Sequence, residues 1–198
     1  MKNIVIESIL SRRSVRNFKQ EQIRDEELNQ ILQAAVWAPS GSNSQSWLFT
    51  AVQNPEILAE LNALLCRGFR EWQPGEHEYA AKLGAKKRAE HADANFLYHA
   101  PTLVIASNVP DYANAMADCS CALQNIFLAS YSLEIGSCWI NQFTWLNDYA
   151  PLRERLAELG LPKEHVICGA AALGYPNGEA PKPPVLPVRK ENTVHIIR

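Results

Sequence analysis

The pattern of apolar and polar positions along the chain predicts helices that alternate with short strands. Apolar residues at helical spacing predict helices over 4–12, 26–38, a stretch beginning at Pro55, 111–133 and 152–159. Compact apolar runs predict strands over 47–52, 103–107, 138–140, 166–173 and 194–197. Because this order lacks the regular βαβ repeat of a parallel sheet, we expect an α+β fold with a mixed sheet flanked by helices.

Local signals predict where the helices begin and end. Two glutamates follow Asp25 in a first turn that favours acids, so we expect Asp25 to cap the second helix. Pro39 is expected to end that helix. Gly136 is expected to close the helix over 111–133, and Gly160 the helix over 152–159.

Two segments depart from the alternating pattern of an otherwise single domain over residues 1–198. Residues 67–95 combine Trp72, a Pro-Gly pair and a charged, alanine-rich run, so we expect a variable excursion with a polar helix outside the main core. Five prolines between residues 176 and 187 exclude a sheet interior there. We expect an extended C-terminal arm over 176–198 that carries the last strand to a neighbouring subunit, and hence a dimer.

Composition narrows the classes of function. A hydrophobic fraction of 47% suits a folded domain, and a net charge of -2 argues against a general nucleic-acid binder. No stretch approaches the roughly 20 apolar residues that span a bilayer, and the start of the chain does not read as a secretory signal. The five cysteines, an odd number, then predict reduced thiols in the cytoplasm. Cys119-Ser120-Cys121 lacks the spacing of zinc ligands, so we expect core packing of these cysteines and no metal, and we expect Cys138 in its short strand to pack in the core as well.

Positive charge collects at both ends of the sequence. Residues 1–19 carry Lys2, Arg12, Arg13, Arg16 and Lys19 against Glu7 alone. The last stretch carries Lys182, Arg189, Lys190 and Arg198 against Glu191. The two basic ends could converge on one anionic ligand, or they could bind an acidic partner.

The first motif of chemical interest lies in the basic segment near the start, which contains Arg12, Arg13, Ser14 and Arg16. If this segment is extended, side chains at alternate positions point the same way, and guanidinium groups suit phosphate oxygens. A solvated basic surface is the simpler interpretation of such a motif. The interleaved apolar residues Val15 and Phe18 favour a partly buried segment, in which arginines need an anionic partner.

The second motif follows the second predicted helix and contains Pro39, Ser40, Gly41, Asn43 and Gln45. Taken alone, it is typical of a turn that ends a helix. The succession Gln45-Ser46-Trp47 favours instead a ledge that lies against a flat polar ring. The sequence contains no phosphate loop of the GxGxxG or GxxxxGK[ST] type, and no catalytic triad can be assembled from it. Hydride chemistry would therefore come from a bound flavin.

In their order, the motifs resemble the nitroreductase-like family of FMN-dependent oxidoreductases. The resemblance begins with residues 11–18 (SRRSVRNF) and 34–47 (AAVWAPSGSNSQSW) and continues through 117–129 and 136–139. It closes with residues 173–176, the proline-rich arm and Arg189. The first two motifs in this order are specific, and the later ones are weaker. The resemblance implies a mainly antiparallel central sheet and a homodimer with an exchanged C-terminal arm and two FMN sites at the interface.

The family's motifs also imply which residues bind FMN. The outer arginine of the first motif would hold the 5′-phosphate, Arg16 would lie near the pyrimidine edge of the ring, and Arg189 would meet the phosphate. The second motif would reach the flavin of the other subunit, and residues 137–141 would pass the ring near N5. The implied FMN-binding residues are Arg12, Arg13, Ser14, Arg16, Pro39, Ser40, Gly41, Asn43, Gln45, Ser137, Cys138, Trp139, Ile140, Asn141 and Arg189. The chain departs from the family at two positions. Ser46 stands where the family usually has proline, and Pro187 stands where some members have lysine.

The implied activity is hydride transfer from NADH or NADPH to FMN and then to a small-molecule acceptor, by a ping-pong mechanism. The acceptor could be a nitroaromatic, a quinone or an activated alkene, and no side chain is required as an acid or base. Three alternatives stay open. They are another flavin reaction on the same scaffold, namely reductive dehalogenation or flavin fragmentation; a flavin-binding protein without activity; and an interaction protein with basic ends.

Overall fold

A four-stranded antiparallel sheet forms the centre of the computed structural model, which describes residues 3–178 and 193–198. The strands are β1 (Leu48–Val52), β2 (Thr102–Asn108), β3 (Gly136–Ile140) and β4 (Val166–Gly174), in the order β1-β2-β4-β3. Each neighbouring pair runs antiparallel. The α+β class and the mainly antiparallel sheet are confirmed; the exchange of a C-terminal arm stays a prediction.

Seven helices surround the sheet in the described part of the chain. They are α1 (Ile4–Ser11), α2 (Asp25–Val36), α3 (Pro55–Glu71), α4 (Ala80–Ala89), α5 (Ala115–Ser132), α6 (Gln142–Trp145) and α7 (Ala150–Glu158). Pro55 occupies the first turn of α3, where its missing N–H costs nothing, and the Asn54 side chain accepts hydrogen bonds from Glu56 N and Ile57 N.

The two central strands divide their side chains between two apolar layers. In β2, Leu103 and Ile105 face the layer formed with α3, α4 and α7, whereas Val104 and Ala106 face the layer formed with α2 and α5. This alternation is the period of two that a strand imposes. Because every residue of β2 is buried, this strand is covered on both faces.

Two predicted helix boundaries are wrong. Asp25 is the first helical residue rather than the cap, because Arg24 holds the extended cap conformation. Helix α5 ends at Ser132, and Glu134 turns the chain with a φ of 60°. Gly136 is therefore the first residue of β3, where its lack of a side chain serves packing: a Cβ there would lie 2.8 Å from Val15 Cβ.

The excursion differs from the sequence-based expectation, whereas the last strand, which was expected to pair with a neighbouring subunit, stays a prediction. Helix α4 does not lie outside the core, because Ala85 and Ala89 are buried against the layer that contains α3. Residues 193–198 form no strand within this chain. Residues 179–192, which include most of the predicted arm and Arg189, lie outside the described residues. No helix in the described ranges has the length and apolar character needed to cross a bilayer.

The cysteines separate into buried and exposed thiols. Cys119 and Cys138 are buried, as predicted, but Cys121 is exposed on the opposite side of α5 and does not pack in the core. Two positions along a helix rotate the side chain by more than half a turn, which explains the divergence of Cys119 and Cys121.

Candidate functional site

The basic segment that contains Arg12 and Arg16 is fixed along strand β3. Val15 N donates to Ser137 O at 2.9 Å, and Ser14 and Ser137 form a parallel bridge. The buried Val15 side chain fits against Gly136, because a residue with a side chain at position 136 would overlap it. The predicted extended, partly buried segment is therefore present, and its polar side chains lie beside β3.

Two guanidinium groups in this segment have buried donors without an acceptor. Neither Arg12 Nε nor Arg13 Nη2 has a hydrogen-bond partner among the described residues. Arg13 Nη1 donates to Leu10 O and Arg12 O, each at 2.7 Å. Burial, and then the neighbouring Arg13 cation, lower the pKa of Arg12. Buried donors without acceptors are costly, so this arrangement is suited to an anion with several oxygen atoms.

The unpaired donors border a space that we call the N-terminal cavity. It measures about 540 Å³ and is lined by Arg12, Arg13, Ser137 and residues of α1 and the end of α5. The Arg12 guanidinium carbon also lies 5.7 Å from the ring centre of Phe127 on α5. Charge and volume in this cavity together fit a phosphate group and the chain attached to it.

Arg16 lines a second space, which we call the aromatic cavity. It measures about 340 Å³ and lies between α4, Tyr98 and the end of β3. Trp139 Nε1 donates to Asn141 Oδ1 at 2.7 Å, which fixes both side chains at the cavity wall. The Arg16 guanidinium carbon lies 5.8 Å from the ring centre of Tyr98.

Strand β3 connects the two cavities. Ser137 lines the N-terminal cavity, whereas Trp139 and Asn141 line the aromatic cavity, about 7 and about 13 Å further along the strand direction. Cys138 and Ile140 alternate with them and are buried in the core. Burial raises the pKa of the Cys138 thiol, although the Arg16 cation acts in the opposite direction. Of the five predicted positions in 137–141, Cys138 and Ile140 could therefore offer a ligand only their backbone.

The loop over residues 39–45 holds three residues other than glycine in the left-handed region. Ser42, Asn43 and Gln45 have φ values of 52°, 53° and 48°. Gln45 N donates to Ser40 Oγ at 3.2 Å, and Gln45 Nε2 donates to Asn43 Oδ1 at 2.9 Å. Such backbone strain persists only where surrounding contacts enforce it, and it is concentrated at functional sites. Trp47 packs partly buried against the layer with α5 and Gln45 is exposed, and the ledge of Gln45 and Trp47 stays a prediction.

A carboxylate that sequence reasoning did not assign to the site anchors this loop. Gly41 N donates to Asp118 Oδ1 and Oδ2 at 3.3 and 3.2 Å. The Tyr112 hydroxyl lies 2.9 Å from both Asp118 Oδ2 and Gly41 O, so its single proton can be donated to either. Asp118 is only 6% exposed. Its signal in the sequence is that it is the one charged residue of α5.

The described chain does not bring the loop and the basic segment together. No hydrogen bond, ion pair or ring contact joins residues 39–45 to residues 12–16 within the described ranges. The loop contacts α5 at Asp118 and Arg12 contacts it at Phe127, about 13 Å apart along the helix axis. Within the described ranges, α5 is therefore the element that both motifs contact.

The end of β4 places the start of the C-terminal arm beside the basic segment. Lys19 N donates to Tyr175 O at 2.8 Å, Asn177 N donates to Asn17 O at 3.0 Å, and Phe18 bridges Pro176. The chain therefore enters the arm next to Asn17, one residue beyond Arg16. The position of Arg189 relative to Arg12 lies outside the described residues and stays a prediction.

Comparison with known proteins gives consistent matches over the whole chain. The model of the nitroreductase family matches residues 9–175. A crystal structure of a nitroreductase with bound FMN from Bacteroides fragilis is 39% identical, with a TM-score of 0.89, and covers 100% of both chains. A nitroreductase with bound FMN from Desulfitobacterium hafniense is 26% identical, with a TM-score of 0.83, and also covers 100% of both chains. An Archaeoglobus fulgidus protein, whose name refers to NADH dehydrogenase and NAD(P)H nitroreductase, is 32% identical over 88% of this chain and 86% of its own.

Proposed function

The chain belongs to the nitroreductase family, as its motifs suggested, and from this we propose that it is an FMN-dependent oxidoreductase that uses NADH or NADPH. One observation supports this most directly. Two buried guanidinium donors, Arg12 Nε and Arg13 Nη2, lack any partner in the described chain and border a cavity next to Ser137. A phosphate monoester would supply the missing acceptor oxygens.

The same arrangement gives each cavity a role in binding the cofactor. We assign the phosphate and its chain to the N-terminal cavity, with Arg12, Arg13, Ser14 and Ser137 as donors. The flat ring would then lie toward the aromatic cavity, along the backbone of residues 138–141. Arg16, at the border of that cavity, would stabilise the negative charge that the ring gains on reduction.

The cofactor would supply the hydride chemistry. The side chains described here would bind the cofactor, orient it and exclude water from it. A single cavity, bordered by Arg16, Trp139 and Asn141, is available beside the ring position. Because the reductant and the acceptor would occupy this space in turn, ping-pong kinetics are expected. The acceptor would be a nitroaromatic, a quinone or an activated alkene.

A homodimer completes the site in this proposal. Pro39, Ser40, Gly41, Asn43 and Gln45 make no hydrogen bond to the basic segment of their own chain within the described residues, and in this proposal they contact the cofactor held by a second copy. Helix α1 has no buried residue, and its apolar side chains Ile4, Val5, Ile6, Ile9 and Leu10 are exposed. Exposed apolar surface of this size is typical of an interface.

The visible spectrum of the purified protein tests the proposal. We expect a flavin absorption band, present as isolated or after addition of FMN, that bleaches when NADH or NADPH is added without oxygen and returns when a quinone is added. A protein that stays colourless with added FMN would contradict the proposal. A flavin band that neither nucleotide bleaches would indicate a flavin-binding protein without this activity.

A further inference from the structure

Helix α4 forms one wall of the aromatic cavity with unusually small side chains. Ala81, Gly84, Ala85 and Arg88 face the cavity at helical spacing. A Cβ added to Gly84 would meet no atom within 4 Å, so the space opposite this residue is open. This wall is therefore flat for two turns and ends in a cation.

The opposite wall of the aromatic cavity is built from rings. Phe96, Tyr98, Trp139 and Trp145 line it. A volume of about 340 Å³ falls within the range of sites for small molecules. A slot between a flat helix face and aromatic rings suits a planar aromatic compound, which gains from stacking as well as from burial.

Arg88 is held at the end of this slot by three contacts. Its Nη2 donates to Asn95 O at 2.8 Å. Its guanidinium carbon lies 5.6 Å from the ring centre of Phe96 and 5.1 Å from that of Tyr98. Tyr98 itself has a φ of 56°, an unfavourable conformation for a residue with a large side chain. The local backbone thus stores strain while it keeps this ring between Arg88 and Arg16.

No carboxylate compensates the positive charge at this position. Neither Arg88 nor Arg16 forms an ion pair with any described residue, and the side chains that line the aromatic cavity include no acid. Helix α4 carries Lys82, Lys86, Lys87 and Arg88 and no acidic residue at all. Two guanidinium groups beside one ring, without a counter-charge, favour the binding of an anion.

A purely structural role accounts for only part of this geometry. Stacking on two rings and the bond to Asn95 O fix the guanidinium, but they use one of its nitrogen atoms. Nε and Nη1 of Arg88 form no hydrogen bond with the described residues. The bond to Asn95 O uses one of the two N–H groups of Nη2, so the second N–H of Nη2 remains free beside either Nε or Nη1. This exposed arginine, held in place at the end of a slot, can therefore bind a carboxylate at two points along that edge.

We propose that Arg88 is a specificity residue that binds an anionic substituent, such as a carboxylate, on a planar aromatic electron acceptor. The proposal rests on the proposed flavin-dependent function and adds the class of acceptor. Lys86 does not share this role, because its Nζ donates to Phe69 O, Arg70 O and Trp72 O at the end of α3. Lys87 is exposed but does not line the cavity, which makes it a matched control for loss of charge.

The kinetic test compares two acceptors of nearly equal shape, 4-nitrobenzoate and 4-nitrobenzamide. In the first turnover NADH, one proton and the nitro compound give NAD⁺, the nitroso compound and water. The FMN-loaded protein is reduced with NADH, and its reoxidation by each acceptor is followed in a stopped-flow instrument. We expect Arg88→Met to lower the ratio of the nitrobenzoate to the nitrobenzamide rate constant about tenfold. Lys87→Met should leave this ratio as it is in the wild type.

A binding measurement supplies a readout that is independent of turnover. Trp139 and Trp145 line the cavity, so tryptophan fluorescence can follow binding of unreactive benzoate and benzamide. The wild type should prefer benzoate, Arg88→Met should lose that preference, and Arg88→Lys should retain part of it. Circular dichroism establishes that each variant is folded, and Arg88→Lys keeps the test decisive if Arg88→Met does not fold.

The outcomes separate this proposal from the proposed function. An unchanged ratio in Arg88→Met, with wild-type activity present, would overturn the role of Arg88 alone. A selective loss of the NADPH rate relative to the NADH rate, with the acceptor ratio unchanged, would assign the anion to the nucleotide phosphate and also overturn it. A wild-type protein that binds no FMN would overturn the proposed function itself.

Discussion

At the scale of single residues, Gly41 shows how the loop over 39–45 depends on one missing side chain. Its N–H and carbonyl groups are both occupied by the network of Asp118 and Tyr112. A Cβ at this position would overlap the Asn114 amide nitrogen and lie 2.5 Å from Tyr112 Oη. Either the loop or the tyrosine would have to move, and a shift of the tyrosine would disturb its contacts with Asp118.

We therefore expect Gly41→Ala to lower the free energy of unfolding by about 1–3 kcal/mol, as overpacking of a closely fitted site does. Because the loop would also be displaced, FMN affinity should fall about tenfold. Urea denaturation and fluorescence titration with FMN measure the two effects. Gly75→Ala is the matched control, since its Cβ would make only an ordinary contact with Glu78 Oε1 at 3.5 Å. Equal stability and affinity for Gly41→Ala and the wild type would contradict this account.

At the scale of elements, Glu27 ties the start of α2 to the end of β4. It is 5% exposed, and its carboxylate accepts hydrogen bonds from Arg24 Nη2 at 2.7 Å, from Arg24 N at 3.0 Å and from the Tyr175 hydroxyl. The bond from the Arg24 side chain is the largest cause that lowers the pKa of Glu27 from 4.5 to about 2. The same carboxylate raises the pKa of Tyr175. One side chain thus connects a helix terminus with the strand that leads into the C-terminal arm.

The lowered pKa of Glu27 fixes the direction of a pH effect. Because its pKa in the folded state lies below the ordinary value of 4.5, the carboxylate stabilises the fold fully above about pH 4.5, and this contribution is lost as the pH falls toward about 2. Glu27→Gln should reduce the free energy of unfolding at pH 7 by about 1–3 kcal/mol. It should also remove this part of the acid dependence. Urea midpoints at pH 7 and pH 3 measure both effects.

Glu26→Gln provides the comparison for Glu27, since Glu26 is the adjacent acid on α2 and is exposed. Its stability should follow the wild type at both pH values. A Glu27→Gln variant with the same difference between pH 7 and pH 3 as the wild type would show that the network contributes no pH dependence.

Sequence patterns predicted the existence of the helices and strands better than they predicted where these elements end and which of their residues are buried. The apolar runs placed all four described strands because each consists mostly of apolar residues, and β2 and β4 are buried almost throughout. Gly136 misled the prediction, since a glycine needed for close packing against Val15 looks the same in a sequence as one that ends a helix. The polarity of α4 hid Ala85 and Ala89, because two small residues are enough to bury one side of a charged helix.

The candidate site likewise contains residues that the sequence could indicate and residues that only the fold reveals. The sequence was enough to select the basic segment of Arg12, Arg13, Ser14 and Arg16. Several arginines interleaved with buried apolar residues repel each other, and this arrangement is uncommon without a bound anion. Asp118 could not be given a role, since only the fold shows that its carboxylate meets the Gly41 amide. Nor does the spacing of residues reveal that Ile140 points into the core; that depends on the register of β3 against β4.

At the scale of the whole molecule, the described chain leaves apolar surface uncovered and its candidate site divided. Ile4 is 77% exposed and Trp37 is 78% exposed, and the C-terminal residues Val194, Ile196 and Ile197 are exposed as well. Trp37 lies two residues before the loop over 39–45, so apolar surface and strained loop are close together in the chain. In the proposed dimer, a second copy covers this surface and places the loop beside the other chain's basic segment.

This link between assembly and cofactor binding leads to a prediction for α1. In the proposed dimer α1 lies at the interface, so Ile6→Glu at this exposed apolar position would bury a charge without a partner, and the dissociation constant of the dimer should rise at least about tenfold. FMN affinity should fall with it, although Ile6 lines neither cavity. Sedimentation velocity and FMN titration over a range of protein concentrations measure the two together. Ala63→Glu places the same charge on an exposed position of α3 and should change neither. FMN affinity that is independent of protein concentration across a measured dimer-to-monomer transition would mean that each chain holds the cofactor alone, and the division of the site between two copies would have to be abandoned.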